Sequence, residues 1–457
     1  MVDTTSTEPG PEPAAATPRT QRKGSLVGLV SSNLAALALN LATSPLIARS
    51  LGPAGRGQQA LVGVYDEAST QVFNFGVPIA IGFYAKEDRY PAEALMGTAW
   101  RYGLLALPVS LAGGFAAVWW PLSGLDGASR VLAFLLIGLS PIANTIGMAS
   151  RQLLLAQGNL AGMRTLSLVQ AVVRTALLAA FFAVDRLSVA VAIGSIAASN
   201  YVGHAYAWRK CAVRPHGNAP LRVLLHYGIR AVPGSLSNLA NNRLDQLLIA
   251  PFLGAAALGQ YAVAVSVNAI PQQVGTAMAL DSFNKVRVEG LRGREGAASR
   301  LIRRAWVASL LSTAIVGVVA TAGIPLVYGD AFRPAIMPTL ILLPGAVFFA
   351  VHLVVAQIAY ALGKPQFASV AQVVAVIVTI LALPPAIHYY GIAGAAWVST
   401  VAYAIRLITI GALLRRIEVT HTLPGPADFV HFAALVLGKL GRLRFRPRGR
   451  RRRPRRT

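Results

Sequence analysis

The chain has 457 residues, of which 55% are hydrophobic and only 13% are charged. Soluble domains carry about twice this share of charge, so the composition excludes an ordinary water-soluble enzyme and indicates a chain that lies mostly in lipid. The single cysteine, Cys211, excludes an internal disulfide. The seven histidines are scattered and form no Cys/His grouping, so no metal site is predicted.

Residues 1–24 are rich in Pro, Thr, Ala and Glu and lack the apolar core of a signal peptide, which predicts a disordered leader. Beyond them, a window of about 19 residues finds apolar segments long enough to cross a hydrocarbon core of about 30 Å as helices. The twelve predicted spans are 25–48, 60–85, 95–120, 130–150, 163–184, 188–208, 224–250, 258–283, 305–327, 337–362, 367–388 and 391–414. The later stretch 429–438 is too short to span and is expected to lie along the interface.

These spans predict an all-α polytopic membrane protein with two six-helix lobes. The N-terminal lobe is expected over 25–208 and the C-terminal lobe over 224–414, joined by a cytoplasmic linker over 209–223. A basic tail follows over 415–457. Its arginines are expected to contact the anionic inner leaflet rather than nucleic acid, because aromatic residues are not interleaved with them.

The distribution of Lys and Arg predicts the orientation of the chain. With the N-terminus inside, the inside segments before the tail hold 19 Lys and Arg, and the outside loops hold 5. Cytoplasmic loops of membrane proteins carry the excess of basic residues, so both termini are predicted to be cytoplasmic.

A short internal repeat supports the prediction of two lobes. The stretch 46–58 (LIARSLGPAGRGQ) and the stretch 248–260 (LIAPFLGAAALGQ) are identical at 8 of 13 positions. Both stretches end an odd-numbered span and open the next, so the repeat unit is six spans and both halves enter the membrane from the same side. Parallel repeats of this kind are typical of transporters that alternate between inward-open and outward-open states.

Several motifs of the first and seventh spans point to one family. They are Asn33 and Asn40, the apolar-Arg-x-Leu-Gly-Pro-x-x-x-Gly run from Ile47 to Gly57, and the run from Tyr227 through Asp245 to Leu253-Gly254 and Gly259-x-Tyr261. At these residues the chain resembles bacterial polysaccharide flippases of the O-antigen type, which belong to the multidrug/oligosaccharidyl-lipid/polysaccharide exporter superfamily. The resemblance covers about residues 25–415, and the arginine-rich tail departs from the family pattern.

This resemblance implies two lobes, with spans 1, 2, 7 and 8 lining a central cavity. Its candidate substrate ligands include Asn33, Asn40, Asn238 and Asn242. It implies translocation of a polyprenyl-diphosphate-linked oligosaccharide from the inner to the outer leaflet of the bacterial cytoplasmic membrane by alternating access. A polymerase and glycosyltransferases of the same pathway are the partners that it implies.

Charged and polar residues inside the second span are candidates for ion coupling or gating, because a charge within a span costs about 2.5–3.5 kcal/mol on insertion scales. Glu67 and Asn74 lie on one helical face, and Asp66 lies about 100° away. The alternative interpretation is a buried pair that ties this helix to a neighbour.

The seventh span carries a second polar stripe, which includes Asn238, Asn242 and Asp245. We expect Asp245 to face the cavity, as an ion-coupling or gate residue. Arg243 lies about 160° away on a regular helix, so both face one cavity only if the helix is unwound. Arg243 is therefore either a substrate ligand or a tether within its own lobe.

Two further arginines are candidate substrate ligands. Arg174 lies near the middle of the fifth span, and a guanidinium group makes bidentate contacts to phosphate oxygens. A tether within the lobe is the alternative interpretation. Arg230, near the cytoplasmic end of the seventh span, is a candidate for phosphate entry or for snorkelling to the headgroups.

Charges of the second and seventh spans are expected at a similar depth, roughly 8–10 Å below the outer boundary, if the spans begin near residue 60 and end near residue 250. They belong to different lobes. An ion pair of Arg243 with Asp66 or Glu67 is therefore expected to close the outer side in the inward-open state.

Two other functions remain open at this point. An ion-coupled antiporter of the same superfamily would export a drug or small amphiphile, and it would offer mainly carboxylates to its cavity. A membrane glycosyltransferase or polymerase would need acidic catalytic residues in sizeable outside loops, which are short here. The chain has no nucleotide-binding loop of the GxxxxGK[ST] type, and we expect neither a cofactor nor enzymatic activity.

Overall fold

The computed structural model describes residues 23–288, 290–415, 423–426 and 428–429. Within these ranges every regular element is a helix. The predicted leader up to residue 22, nearly all of the predicted interfacial segment and the arginine-rich tail lie outside the described residues.

The described chain forms a succession of helices, most of them long. They are α1 (Lys23–Phe73), α2 (Val77–Lys86), α3 (Ala92–Trp119), α4 (Gly127–Ala156), α5 (Leu160–Ala183), α6 (Val189–Cys211), α7 (Leu221–Gly228), α8 (Val232–Val288), α9 (Gly290–Tyr328), α10 (Ile336–Ala361) and α11 (Pro365–Arg415). A 3₁₀ helix, Asp330–Ala335, joins α9 to α10. Seven helices, namely α3, α4, α5, α8, α9, α10 and α11, are long and apolar enough to cross a membrane by length and composition.

Three of the helices are each two spans joined at a glycine. The backbone leaves the helical conformation at Gly52 in α1, Gly254 in α8 and Gly391 in α11, where φ is 63°, 85° and 59°. Glycine adopts these positive φ values without the steric penalty that a Cβ atom brings. Each of these three helices therefore contributes two segments. Six further segments are α3, α4, α5, α6, α9 and α10, which completes the twelve predicted from the sequence.

The internal repeat reappears as a symmetric crossing of two helices. Gly57 of α1 and Gly259 of α8 occupy matching positions of the repeat, five residues after Gly52 and Gly254. A Cβ atom on Gly57 would lie 1.7 Å from the carbonyl oxygen of Ala255, and one on Gly259 would lie 1.8 Å from that of Pro53. The two backbones therefore touch at this crossing, and only glycine fits on either side.

The second span begins earlier than predicted. Hydropathy placed its start near residue 60, whereas the helix resumes directly after Gly52. The reason is Arg56, which is buried within the bundle and not in a loop. Its guanidinium group donates to hydroxyl oxygens of Ser44 and Ser266, two contacts that a hydropathy window does not take into account.

The linker between the halves is partly helical, and the seventh span begins later than predicted. Residues 221–228 form α7, and α8 starts at Val232. The amide groups of His216 and Ala219 donate to the carbonyl oxygens of Glu93 and Ala94 at the start of α3. The linker is therefore docked on the N-terminal half.

The two halves pack mainly within themselves and meet where α1 lies against α8. Val62 of α1 and Leu258 of α8 belong to one buried cluster at this joint. We call the end of the bundle that contains the glycine crossing the Gly52 end. At the other end, α2 contacts α7, and the rings of Phe83 and Tyr227 stack with centroids 4.4 Å apart.

Candidate functional site

Two adjoining polar cavities lie at the joint between the halves. The larger has a volume of about 440 Å³, and the smaller has a volume of about 190 Å³. Leu37, Asn40 and Arg174 line both, and we call the two together the arginine cavity. The larger is also lined by Ala36, Ser167, Gln170, Ala171, Ser199, Asn200 and Gln273. The smaller is also lined by Leu41, Thr43, Ser44, Ile47, Arg56, Ser266 and Ala269.

Two arginines give this cavity its charge. The Nε atom of Arg174, on α5, is buried and has no hydrogen-bond partner in the described part of the chain. Arg56 is only 9% exposed, and its guanidinium group donates to the side-chain oxygen of Gln59. It also donates to Oγ of Ser44 at 3.5 Å and, across the joint, to Oγ of Ser266 at 3.3 Å.

No acidic side chain lines either cavity. Among the described ion pairs, Arg56 and Arg174 appear in none. Buried charges without a partner are costly, so an anion that enters this cavity would offset that cost. Guanidinium groups match oxygens of phosphate bidentately, and the amide and hydroxyl groups around them supply further hydrogen bonds.

The structure brings together two of the predicted substrate ligands, Asn40 and Arg174. The side chain of Asn33 lies outside the described residues, although its backbone belongs to α1. Sequence reasoning missed Arg56, which it assigned to an outside loop. The sequence did contain a signal. The repeat aligns Gly57 with Gly259, which lies inside the predicted span 258–283, so the neighbouring Arg56 also belongs in a helix.

The remaining predicted ligands lie outside the arginine cavity. Asn242 donates to the side-chain oxygen of Asn238 at 3.1 Å, along the same face of α8. Arg230 is exposed, just before α8, and its Nη2 lies 2.8 Å from Nε2 of His226.

The predicted ion pair between the halves is present. Nε of Arg243 donates to Oε2 of Glu67 at 2.8 Å, and the two side chains are 34% and 42% exposed. The pair lies deeper than expected, 15 residues beyond Gly52 and 11 before Gly254. These separations correspond to about 22 Å and 16 Å along the helices. Both distances exceed the roughly 8–10 Å expected from the predicted ends of the spans.

Asp66 points away from that ion pair, into the N-terminal half, and is 7% exposed. Its Oδ2 atom accepts one long hydrogen bond, from Nδ2 of Asn200 on α6 at 3.4 Å. Its Oδ1 atom is buried without a partner in the described structure. Asn200 also lines the larger cavity, so one side chain separates Asp66 from it.

Asp245 has the opposite surroundings. It is 8% exposed, and it accepts hydrogen bonds from Tyr261 Oη at 2.5 Å, from Ser399 Oγ at 3.0 Å and from the amide of Gln246 at 2.7 Å. These donors tie the first part of α8 to its second part and to α11. Arg243 reaches the other half, as the predicted ion pair requires, whereas Asp245 stays inside its own half and lines neither cavity.

Asn74 follows the end of α1 and is 5% exposed. Its side-chain oxygen accepts from Thr145 at 2.5 Å, and its amide group donates to the sulfur of Met148 at 3.4 Å. Both partners belong to α4. Asn74 therefore anchors the break between α1 and α2 and does not line the arginine cavity.

Comparisons with known proteins agree with this architecture. A family model described as polysaccharide biosynthesis protein matches residues 46–337, more than half of the chain. No curated protein matches the chain.

Solved structures of transporters share the fold. The lipid II flippase MurJ, in an inward closed conformation, superposes with a TM-score of 0.70 at 12% identity, over 93% of this chain and 94% of MurJ. A multidrug resistance MATE family transporter of the MOP superfamily, inward-facing, superposes with a TM-score of 0.64 at 16% identity, over 85% of this chain and 98% of that one. An outward-facing MATE structure gives 0.61 at 15% identity, over 88% of this chain and 96% of that one. The likeness confirms the all-α, two-lobed fold.

Proposed function

Because the chain belongs to the family of polysaccharide biosynthesis proteins, we propose that it is a flippase for polyprenyl-diphosphate-linked oligosaccharides. It moves them from the inner to the outer leaflet of a bacterial cytoplasmic membrane by alternating access, for the assembly of a surface polysaccharide. The chain then carries out transport and no chemical conversion. A polymerase and glycosyltransferases of the same pathway would consume and supply its substrate.

The arginine cavity is the observation that carries this proposal. Arg56 and Arg174 face a polar space at the joint of the two halves, with Asn40 on its wall and no carboxylate around it. A diphosphate carries the charge and the oxygen atoms that two guanidinium groups bind best. Exchange of the Arg56–Ser266 hydrogen bond for a bond to phosphate would weaken the joint as the substrate binds.

An ion-coupled exporter of small amphiphiles is the second candidate, and the likeness to MATE transporters supports it. The charge of the cavity argues against it. An exporter of cationic drugs needs an acidic group where the drug lies. Asp66 and Asp245 are buried inside the two halves and line neither cavity.

In the proposed orientation the Gly52 end faces outwards and both termini are cytoplasmic. The excess of Lys and Arg on the other side supports this assignment. The basic tail would then lie at the anionic inner leaflet, where each basic residue near the surface contributes about 1 kcal/mol of attraction. The glycine crossing and the Arg243–Glu67 ion pair would hold the outer side closed.

Cells that lack this protein should retain lipid-linked repeat units on the cytoplasmic face and lose the surface polymer. The lipid-linked pool and the surface glycan are measured in a clean deletion and in the same strain complemented with the wild-type gene. Normal surface glycan in the deletion strain, with no second flippase gene present, would contradict the proposed function.

Replacement of Arg174 by alanine should reduce transport at least tenfold, and replacement by lysine should reduce it less. A hydrogen bond to a charged group contributes about 1.5–3 kcal/mol, and lysine keeps the charge while it loses the bidentate geometry. Flipping of a lipid-linked oligosaccharide is measured in vesicles at equal protein content, with Arg209→Ala as a control because Arg209 is an exposed arginine outside the cavity. Equal rates for Arg174→Ala and the wild type would remove Arg174 from the substrate site.

A further inference from the structure

The two buried carboxyl groups of the bundle differ in how they are hydrogen-bonded. Asp245 accepts three hydrogen bonds, which is the environment of an ionised carboxylate. Asp66 accepts one side-chain hydrogen bond at 3.4 Å, and its second oxygen has no partner in the described structure. The same chemical group is therefore held by more and shorter hydrogen bonds in one half than in the other.

Among the residues that the structure describes, no positive charge pairs with Asp66 from the helices packed around it. On α1, its acidic neighbour Glu67 is paired with Arg243 in the other half. On α4, the hydroxyl of Ser140 is a further hydrogen-bond donor to the carboxyl group, and the other nearby side chains are apolar. On α6 they are Asn200 and Tyr201.

The nearest described histidine in this polar region is hydrogen-bonded to a residue other than Asp66. His204 lies one helical turn beyond Asn200 on α6, and its Nε2 lies 2.6 Å from the side-chain oxygen of Asn144. Asn144 in turn donates to Oγ of Ser140 at 2.5 Å and to Thr70 at 2.7 Å. Two uncharged side chains therefore separate His204 from Asp66.

We infer that Asp66 is a proton-binding site, which is occupied at mildly acidic pH in this conformation. An isolated ionised carboxylate in a medium of low dielectric costs far more free energy than its protonated form, so the group neutralises. A hydrated metal ion would need cavity space beside the carboxyl group, whereas a proton needs none. Asp66 lines neither polar cavity, so a proton is the cation that fits. Asn200 contacts both Asp66 and the larger cavity, so a proton reaches the site from the cavity when that side chain moves.

A proton on Asp66 and an anion in the arginine cavity should favour each other. The negative charge of a bound diphosphate would oppose ionisation of Asp66 across Asn200, and linkage makes the effect reciprocal. This step rests on the proposed function, whereas the proton site itself does not. Substrate binding would thus be coupled to uptake of one proton.

The proton is tested by infrared spectroscopy of the purified full-length protein at mildly acidic pH. The carbonyl stretching band of a buried protonated carboxyl group should be present in the wild type and in Asp245→Asn, and absent in Asp66→Asn. A band that persists unchanged in Asp66→Asn would overturn the inference.

Thermal unfolding gives a second test that does not depend on the band. An amide has the shape of a protonated carboxyl group, so Asp66→Asn should unfold within a few degrees of the wild type. Asp245→Asn should unfold at a clearly lower temperature, because the amide group would meet the donors of Tyr261 and Ser399. Strong destabilisation by Asp66→Asn at mildly acidic pH would show that an ionised Asp66 is needed, and would also overturn the inference.

The coupling is tested with a short-chain prenyl diphosphosugar, a diester whose phosphates do not titrate near neutral pH. Its affinity for the wild type should rise on the order of tenfold from mildly alkaline to mildly acidic pH, a typical coupling factor. Its affinity for Asp66→Asn should not change with pH.

Failure of the probe to bind the wild type at any pH would count against the proposed function, while the infrared result would still decide on the proton site. Equal pH dependence in the wild type and Asp66→Asn would contradict the coupling.

Discussion

Replacement of Gly57 by alanine should leave the Gly52 end of the bundle unable to close. A Cβ atom at this position would lie 1.7 Å from the carbonyl oxygen of Ala255 and 2.9 Å from the amide nitrogen of Gly259. All of these atoms belong to backbone, so no side-chain rotation relieves the clash. The two helices must separate where they cross.

The size of the effect follows from the rigidity of both partners. Overpacking of a well-packed interior costs about 1–3 kcal/mol, and more where backbone must move. A cost of about 3 kcal/mol changes the ratio of outer-closed to outer-open protein by roughly a hundredfold. Alternating access needs both states, so transport should fall strongly even though the protein still inserts and folds. Gly259→Ala should have the same effect, because its Cβ would meet the carbonyl oxygen of Pro53 at 1.8 Å.

Labelling of a cysteine introduced at Asn40 measures the closure directly. The experiment uses a Cys211→Ser background, since Cys211 is the only cysteine of the chain. A membrane-impermeant thiol reagent added from outside should label the cysteine at position 40 much faster when Gly57→Ala is also present. Gly63→Ala is the matched control, because a Cβ there has no heavy atom within 4 Å. Equal labelling rates for Gly57→Ala and Gly63→Ala would show that the crossing does not close the outer side.

The sequence was sufficient to predict the twelve spans and the relation between the halves. Long apolar segments report burial in lipid directly, and this does not depend on which neighbours a helix has. The repeat at 46–58 and 248–260 even identified the two stretches that cross, although only the structure shows that Gly57 and Gly259 touch.

The candidate site was harder to predict, because it depends on partners distant in sequence. Arg56 is inside the bundle since Ser44 and Ser266, on two other helical segments, accept its hydrogen bonds. A hydropathy window contains neither partner. The direction of Asp245 was hard to predict for a related reason: the helical period separates it from the direction of Arg243, but it does not say which direction leads to the other half.

Reversal of either charge in the Arg243–Glu67 pair should impair transport, and reversal of both together should restore much of it. Glu67→Arg places two arginines opposite each other, and Arg243→Glu places a second carboxylate beside Glu67. The pair is partly exposed, so its loss should cost about 1–3 kcal/mol, between the values for exposed and buried pairs. Repulsion between like charges adds to that cost in each single variant.

Restoration in the double variant is the result that a pairing role requires. If each residue bound substrate alone, the exchanged charges would face the substrate wrongly. The double variant would then be as poor as the worse single variant. If the pair holds α1 and α8 together, the exchanged charges attract as before. Asp66 does not interfere, because its side chain points into the N-terminal half.

The measurements are vesicle flipping and outside labelling of the cysteine at position 40, at equal protein content. Each single variant should label faster than the wild type, and the double variant should return towards the wild-type rate.

Asp330 and Arg333 form an exposed ion pair of similar length, 2.9 Å, and provide the control. The single reversals Asp330→Arg and Arg333→Glu should change neither measurement, because that pair lies within one half. If the singles at Glu67 and Arg243 behave like this control, the ion pair does not contribute to closure. If both singles are harmful and the exchange restores nothing, the two residues act separately, and the glycine crossing must hold the outer side closed without them.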